Sequence, residues 1–126
     1  MSSQAQVALD TPLGRLNGLR WRPEGSGPPI RRFGGIPYAA PPVGALRFRA
    51  PEPAGGWSGE RDATADALAQ PQTSGGIELV PGMAAAAVGD DSLSLTIWTP
   101  DGAHALPVMV WIHGGAFLHG STSPGN

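Results

Sequence analysis

The sequence predicts an α/β fold of which this chain carries the β-rich part, a mixed sheet with an opening hairpin and central strands. Three observations predict it. Val108-Met109-Val110-Trp111-Ile112 is an unbroken apolar run with no polar face, the pattern of a strand covered on both sides in a parallel or mixed sheet. Leu93, Leu95 and Ile97 alternate with Ser92, Ser94 and Thr96, the period-two pattern of a half-buried strand. No stretch reads as an amphipathic helix of ~10 residues or more that would cover those strands, so the sheet is expected to be incomplete as a domain.

Residues 6–9 and 15–21 are short strands separated by the turn-forming cluster Asp10-Thr11-Pro12-Leu13-Gly14, and together they make the opening hairpin, with Gly18 interrupting its second strand. After a Gly/Pro loop at residues 24–29, residues 30–33 form a third strand. The segment from Gly34 to Gly44 is expected to be neither helix nor central strand, because Pro37, Pro41 and Pro42 remove N–H donors and restrict the residues before them. Residues 51–59 are turn-rich around Trp57, and residues 63–89 are small and weakly patterned. Residues 83–88 suggest a helical turn or two between Gly82 and Gly89, too short to be stable alone. Thr99-Pro100-Asp101-Gly102 ends the alternating strand with a turn, and the apolar strand at 108–112 follows. No internal repeat or domain boundary is visible.

Glycine and proline supply 33 of the 126 residues (19 and 14), so loops dominate. Charged residues are 14%, against a usual value of about 25%. The net charge of -2 argues against a nucleic-acid partner, whose phosphates need a basic face. Charge is also segregated. All eight basic residues are arginines between Arg15 and Arg61, and with four acids (Asp10, Glu24, Glu52, Glu60) residues 1–61 have a balance of +4; residues 62–126 hold six acids and no Lys or Arg. The two parts should attract each other. Met1-Ser2-Ser3-Gln4-Ala5-Gln6 lacks the basic and apolar regions of a secretory signal, and no apolar run approaches the ~18 residues of a membrane span. With no cysteine, there is neither a disulfide framework nor a thiolate zinc site, and a cytoplasmic protein without membrane partner is expected.

His113-Gly114-Gly115-Ala116, at the end of the apolar strand, suits an oxyanion hole. A tetrahedral intermediate of acyl transfer needs fixed N–H donors about 2.7 to 3.1 Å from its oxygen, and only small residues let main chain come that close. An ordinary strand-end turn would also use two glycines, so both readings stand on these residues alone. Gly115-Ala116-Phe117-Leu118-His119-Gly120-Ser121-Thr122 nearly matches a phosphate-binding loop, but Ser121 occupies the lysine position and the β/γ-phosphate contact is lost. His113 and His119 are six apart, not the spacing of a helical zinc pair, and no third ligand is placed nearby; no metal or other cofactor is expected. Adjacent Asp90 and Asp91 would point to opposite faces of a strand, which argues against paired catalytic acids. No Gly-x-Ser-x-Gly occurs: Gly56-Trp57-Ser58-Gly59 runs into Glu60, and Ser26, Ser74 and Ser121 lack the flanking spacing of a nucleophile elbow.

Four blocks, in order, resemble the type-B carboxylesterase and cholinesterase-like family of the α/β-hydrolase superfamily: Gly14-Arg15-Leu16-Asn17-Gly18; the run from Phe33 to Phe48 that begins Phe33-Gly34-Gly35-Ile36-Pro37-Tyr38; the run from Asp90-Asp91-Ser92 to Pro100; and the strand and loop from Pro107 to Phe117. The resemblance covers nearly the whole chain. It implies that residues 1–126 are the N-terminal segment of a single catalytic domain several times longer, with nucleophile, acid and catalytic histidine beyond Asn126. The oxyanion donors fall on the N–H groups of Gly115 and Ala116, preceded by Gly114. Phe117 matches a residue beside the acyl pocket, with a plain core aromatic as the other reading, and Arg47 and Asp90 match a structural ion pair, expected to be partly buried. Ser92 stands where the family has a cysteine, and residues 69–72 lack the partner cysteine, so that disulfide is missing as a pair, which suits a reducing compartment. No tryptophan occupies the intervening loop, so the choline-binding aromatic is missing and a general small-molecule carboxylic ester is the expected substrate. The isolated chain is expected to be inactive and to need the remainder of the esterase domain for a complete fold. The alternative is a non-catalytic cholinesterase-like binding or interaction module, or a decayed gene fragment.

Overall fold

The structure, a computed structural model, describes residues 4–25, 27–72 and 87–122. The chain divides into two compact units. The first comprises Met1–Ile36, Gly55–Asp66 and Thr96–Val108, and the second Pro37–Ala54, Ala67–Leu95 and Met109–Asn126. Each is assembled from separated stretches of chain, so no linker composition could have marked the division.

The first unit is built on a mixed sheet. Strands β1 (Ala5–Thr11) and β2 (Gly14–Trp21) form the expected antiparallel hairpin, in register from Ala5 opposite Arg20 to Thr11 opposite Gly14. The turn at Pro12-Leu13 is tied by Thr11 Oγ1, which donates to the Gly14 carbonyl at 2.7 Å. A strand has two edges. β1 takes one edge of β2 along its whole length, and the other is shared between β3 (Ile30–Pro37), antiparallel through Leu19–Trp21, and β4 (Glu60–Asp62), parallel through Arg15–Asn17. β5 (Ser94–Pro100) lies beyond β3.

Leu16 and Phe33, both fully buried, form the core with Ala63, and Val7, Leu9, Ile36 and Trp57 pack around them. The glycine that interrupts β2 is part of that packing. A Cβ at Gly18 would collide with the Arg32 carbonyl oxygen and the Phe33 ring, so the missing side chain lets β3 and its aromatic close on β2. Trp57 is fixed at both ends of its residue: its N–H donates to Leu13 O and its indole Nε1 to Arg15 O, each at 2.8 Å.

The charge segregation has a structural counterpart. Arg20 Nε meets Asp101 Oδ2 at 2.6 Å, Arg31 Nε lies 3.4 Å from Asp101 Oδ1, and Arg32 contacts Asp66, so arginines of the basic stretch pair with acids of the later one. Arg32 is the buried member. It donates to the Thr64 carbonyl at 2.9 Å, and its guanidinium lies over the Trp98 ring, 5.4 Å from the centroid. Burial pulls its pKa below the ordinary guanidinium range, yet arginine keeps its proton in proteins, and here a carboxylate and a carbonyl stabilise the charge.

The second unit is irregular. An isolated bridge joins Ala39 to Pro53, a 3₁₀ turn spans Gly44–Leu46, and a parallel bridge joins Ala69 to Val88. Its buried apolar residues among those described are Ala39, Ala67 and Ala69.

Three sequence expectations need correction, and a fourth lies mostly outside the described residues. β3 runs on through Gly34, Gly35 and Ile36 to Pro37, because the first proline sits at the strand's last residue and Gly34 N–H finds the Ala63 carbonyl at 2.8 Å. In β5 the alternation is inverted: Leu95 and Ile97 are the more exposed residues, while Ser94 and Thr96 between them are half-covered. Residues 108–112 are not a ladder strand, and each side chain from Val108 to Ile112 is at least 78% exposed. A strand requires a hydrogen-bonding neighbour, and the described residues supply none there. Of the helical turn at 83–88, residues 83–86 lie outside the described residues, and Val88 is in the bridge with Ala69.

Candidate active site

The loop after residue 112 folds back on itself through a tight turn. Leu118 N–H and His119 N–H both donate to the Gly115 carbonyl, at 3.0 and 3.2 Å. Gly115 has φ +130°, and a Cβ there would collide with the His119 carbonyl oxygen, so glycine is required on two counts. Ala116 (φ 53°) and Phe117 (φ 63°) both adopt the left-handed conformation. That costs an L-residue roughly 1 to 2 kcal/mol, and two in succession, one of them bulky, make a strained segment of the kind found at functional sites.

The turn leaves donors free. Among the described residues, the N–H groups of Gly115 and Ala116 make no hydrogen bond, and the Ala116 side chain is only a methyl group. Gly114 is exposed, and its carbonyl lies 2.7 Å from His113 Nδ1. The turn therefore carries main-chain N–H donors without a partner among the described residues. No group of three or more His, Asp or Glu side chains is arranged to hold a metal ion among the described residues.

Phe117 is fully exposed and packs against none of the described residues. Arg47 and Asp90 do meet: Nη1 lies 3.4 Å from Oδ1, and both side chains are about half exposed, more open than expected. An exposed pair of that length contributes little by itself. The adjacent Phe48 is left-handed as well (φ 58°), with the Arg47 guanidinium 5.4 Å from its ring centroid.

One part of the loop's support carries no sequence signal. Gly120, which closes the turn, is held by two glutamines from residues 70–72, where sequence reasoning saw only a missing cysteine. Its N–H donates to Gln72 Oε1 at 2.8 Å, and its carbonyl accepts from Gln72 Nε2 and Gln70 Nε2, each at 3.1 Å. Glutamines about fifty positions away have no spacing rule that would connect them to the loop.

Comparison with known proteins identifies this architecture as that of an ester-hydrolase fold. The model of the carboxylesterase family matches residues 4–126, and the chain belongs to that family. A phenmedipham hydrolase of Pseudarthrobacter oxydans is 47% identical over 93 residues, which is 71% of this chain and 19% of that protein. Carboxylesterase 1C of Mus musculus is 36% identical over 128 residues, 94% of this chain and 23% of the relative. Among solved structures, a PNB esterase superposes with a TM-score of 0.77 at 39% identity, covering 93% of this chain and 23% of the other. The chain thus spans about a fifth of the length of the relatives it matches, and its sheet-rich architecture matches the N-terminal portion of the α/β-hydrolase fold of an esterase.

Proposed function

We propose that residues 1–126 form the N-terminal segment of a single serine carboxylesterase domain, and that the N–H groups of Gly115 and Ala116 stabilise the tetrahedral oxyanion during hydrolysis of a small carboxylic ester. The observation that carries this proposal is the strained turn at Gly115-Ala116-Phe117, in which the Gly115 and Ala116 N–H groups make no hydrogen bond among the described residues. In acyl transfer, a serine hydroxyl attacks the ester carbonyl, its proton passes to a histidine, and the carbonyl oxygen gains the charge that the donors receive. Gly114 gives the loop its small approach face. Phe117 is exposed here and free to border the acyl pocket once the rest of the domain is in place. Arg47 and Asp90 join two segments of the irregular unit.

Relatives named for substrates as unlike as phenmedipham, fumonisin B1 and cocaine match 71, 73 and 90% of this chain. A common donor loop, with substrate choice made elsewhere, accounts for that. The nucleophile is proposed to come from a Gly-x-Ser-x-Gly element in following sequence, so the isolated chain is inactive. Purified residues 1–126 are expected to give no turnover of a p-nitrophenyl ester, whereas the full-length protein should turn it over and lose that activity to a phosphonate. Phosphonate-sensitive hydrolysis by residues 1–126 would overturn the proposed division of labour, and an inert full-length protein would favour a binding module.

A further inference from the structure

We propose that Gln72, assisted by Gln70, is a positioning residue for the oxyanion loop, acting as a surrogate strand partner that fixes Gly120 and through it Gly115 and Ala116. The inference rests on the esterase proposal and adds to it the device that aims the donors. The carboxamide of Gln72 presents one acceptor and one donor to the acceptor–donor pair of a single peptide residue. Gly120 N–H reaches Oε1 at 2.8 Å and Nε2 reaches Gly120 O at 3.1 Å, the two-way exchange otherwise made by a residue of a neighbouring strand. Gln70 Nε2 adds a second donor to the same carbonyl at 3.1 Å, and Gln72 Nε2 also contacts the Gln70 carbonyl at 3.2 Å, which ties the two glutamines together.

Fixing Gly120 fixes the donors because the turn is short. His119 donates to the Gly115 carbonyl, and its own carbonyl lies where a Gly115 Cβ would sit. The chain at residues 119–120 therefore cannot shift without moving Gly115. Ala116 and Phe117 must be kept left-handed against their own preference, so a restraint at each end of the turn is needed. The glutamines supply the C-terminal one, and both are half-buried, which shields these hydrogen bonds from competing water.

The test uses the full-length protein with Gln72→Met, which keeps length and loses both hydrogen bonds to Gly120 together with the one to the Gln70 carbonyl, and Gln70→Met, which loses one hydrogen bond to Gly120. Steady-state hydrolysis of a p-nitrophenyl ester is measured together with inhibition by a trifluoromethyl ketone, whose adduct carries the oxyanion. Gln72→Met should lower kcat about 10- to 100-fold with KM within about twofold, and weaken the ketone by a similar factor, because a misplaced donor is felt chiefly in the transition state. Gln70→Met should show the same split with a smaller loss, and it decides the matter if Gln72→Met does not fold. A kcat within twofold of wild type for a folded Gln72→Met, or a rise in KM alone, overturns the clamp and leaves the esterase proposal standing. Absence of turnover in the wild-type protein overturns both.

Discussion

The apolar side chains from Val108 to Ile112 are far more exposed than a stable isolated protein allows. Their exposures are 87, 92, 78, 78 and 84% in chain order. Full burial of such a side chain is worth about 1.5 to 3 kcal/mol, so five of them, about four-fifths exposed, represent roughly 6 to 12 kcal/mol of unrealised stabilisation. That is comparable to the whole stability of an ordinary domain, about 5 to 15 kcal/mol. Residues 1–126 purified alone should therefore associate through this strip and bind ANS. Replacing Val110 and Ile112 with glutamate places two charges on one side of the extended run and should convert the material toward monomer with weaker ANS fluorescence. Light scattering after size exclusion across a dilution series provides the measurement. In the full-length protein the same change should do the opposite and destabilise, because it would bury unpaired charge. Wild-type residues 1–126 that stay monomeric and leave ANS dark would refute the reasoning, since the strip would then be covered from within the chain.

Three further outcomes follow from the sheet and its ion pairs. Gly18→Val should cost more than the roughly 1 kcal/mol typical of a point change, because its Cβ meets the Arg32 carbonyl and the Phe33 ring; a lowered urea midpoint followed by tryptophan fluorescence would show it. Asp66→Ala leaves the buried Arg32 without its carboxylate, and with Asp66 itself 34% exposed the expected loss is roughly 1 to 3 kcal/mol, read by the same denaturation with the Trp21–Trp98 pair, 5.3 Å apart, as reporter. Asp62 accepts from Thr64 Oγ1 at 2.7 Å and Thr64 N–H at 2.8 Å, which hold its pKa below the ordinary value, the hydroxyl first. A depressed carboxylate contributes its stability above the unfolded pKa and loses it as pH falls through the folded one, so the effect fades just below the ordinary aspartate range. Thr64→Val should move the Asp62 carboxyl titration, followed by NMR, back up toward that range.

How much of this was legible in the sequence depends on whether a feature is local. The hairpin was legible because Asp10-Thr11-Pro12-Leu13-Gly14 carries its own turn chemistry. β4 was not, since Glu60-Arg61-Asp62 has no apolar period and becomes a strand only by lying alongside Arg15–Asn17. The Leu95 and Ile97 alternation identified a strand correctly but not its covered side, because burial belongs to whatever packs on a face. At residues 108–112 the same limit is sharper: composition marks a central strand, but the neighbours that would make it one are not among the described residues. In the site, His113-Gly114-Gly115-Ala116 revealed main chain meant for close approach. The two left-handed residues after Gly115 were not visible, as sequence rules assign that conformation to glycine, and the glutamine clamp depends on a contact made only in three dimensions.

The short turn between Gly115 and Gly120 has a consequence for how this loop can vary between proteins. Its working groups are peptide N–H donors, present whatever the side chains, so exchange of residues within the limits of size leaves the donor set unchanged. Chain length is different. One residue more or fewer between Gly115 and Gly120 would carry either the donors or the glutamine-bound end out of place, and no substitution elsewhere could restore the count. Insertions and deletions, rather than replacements, are what this part of the molecule is built to refuse.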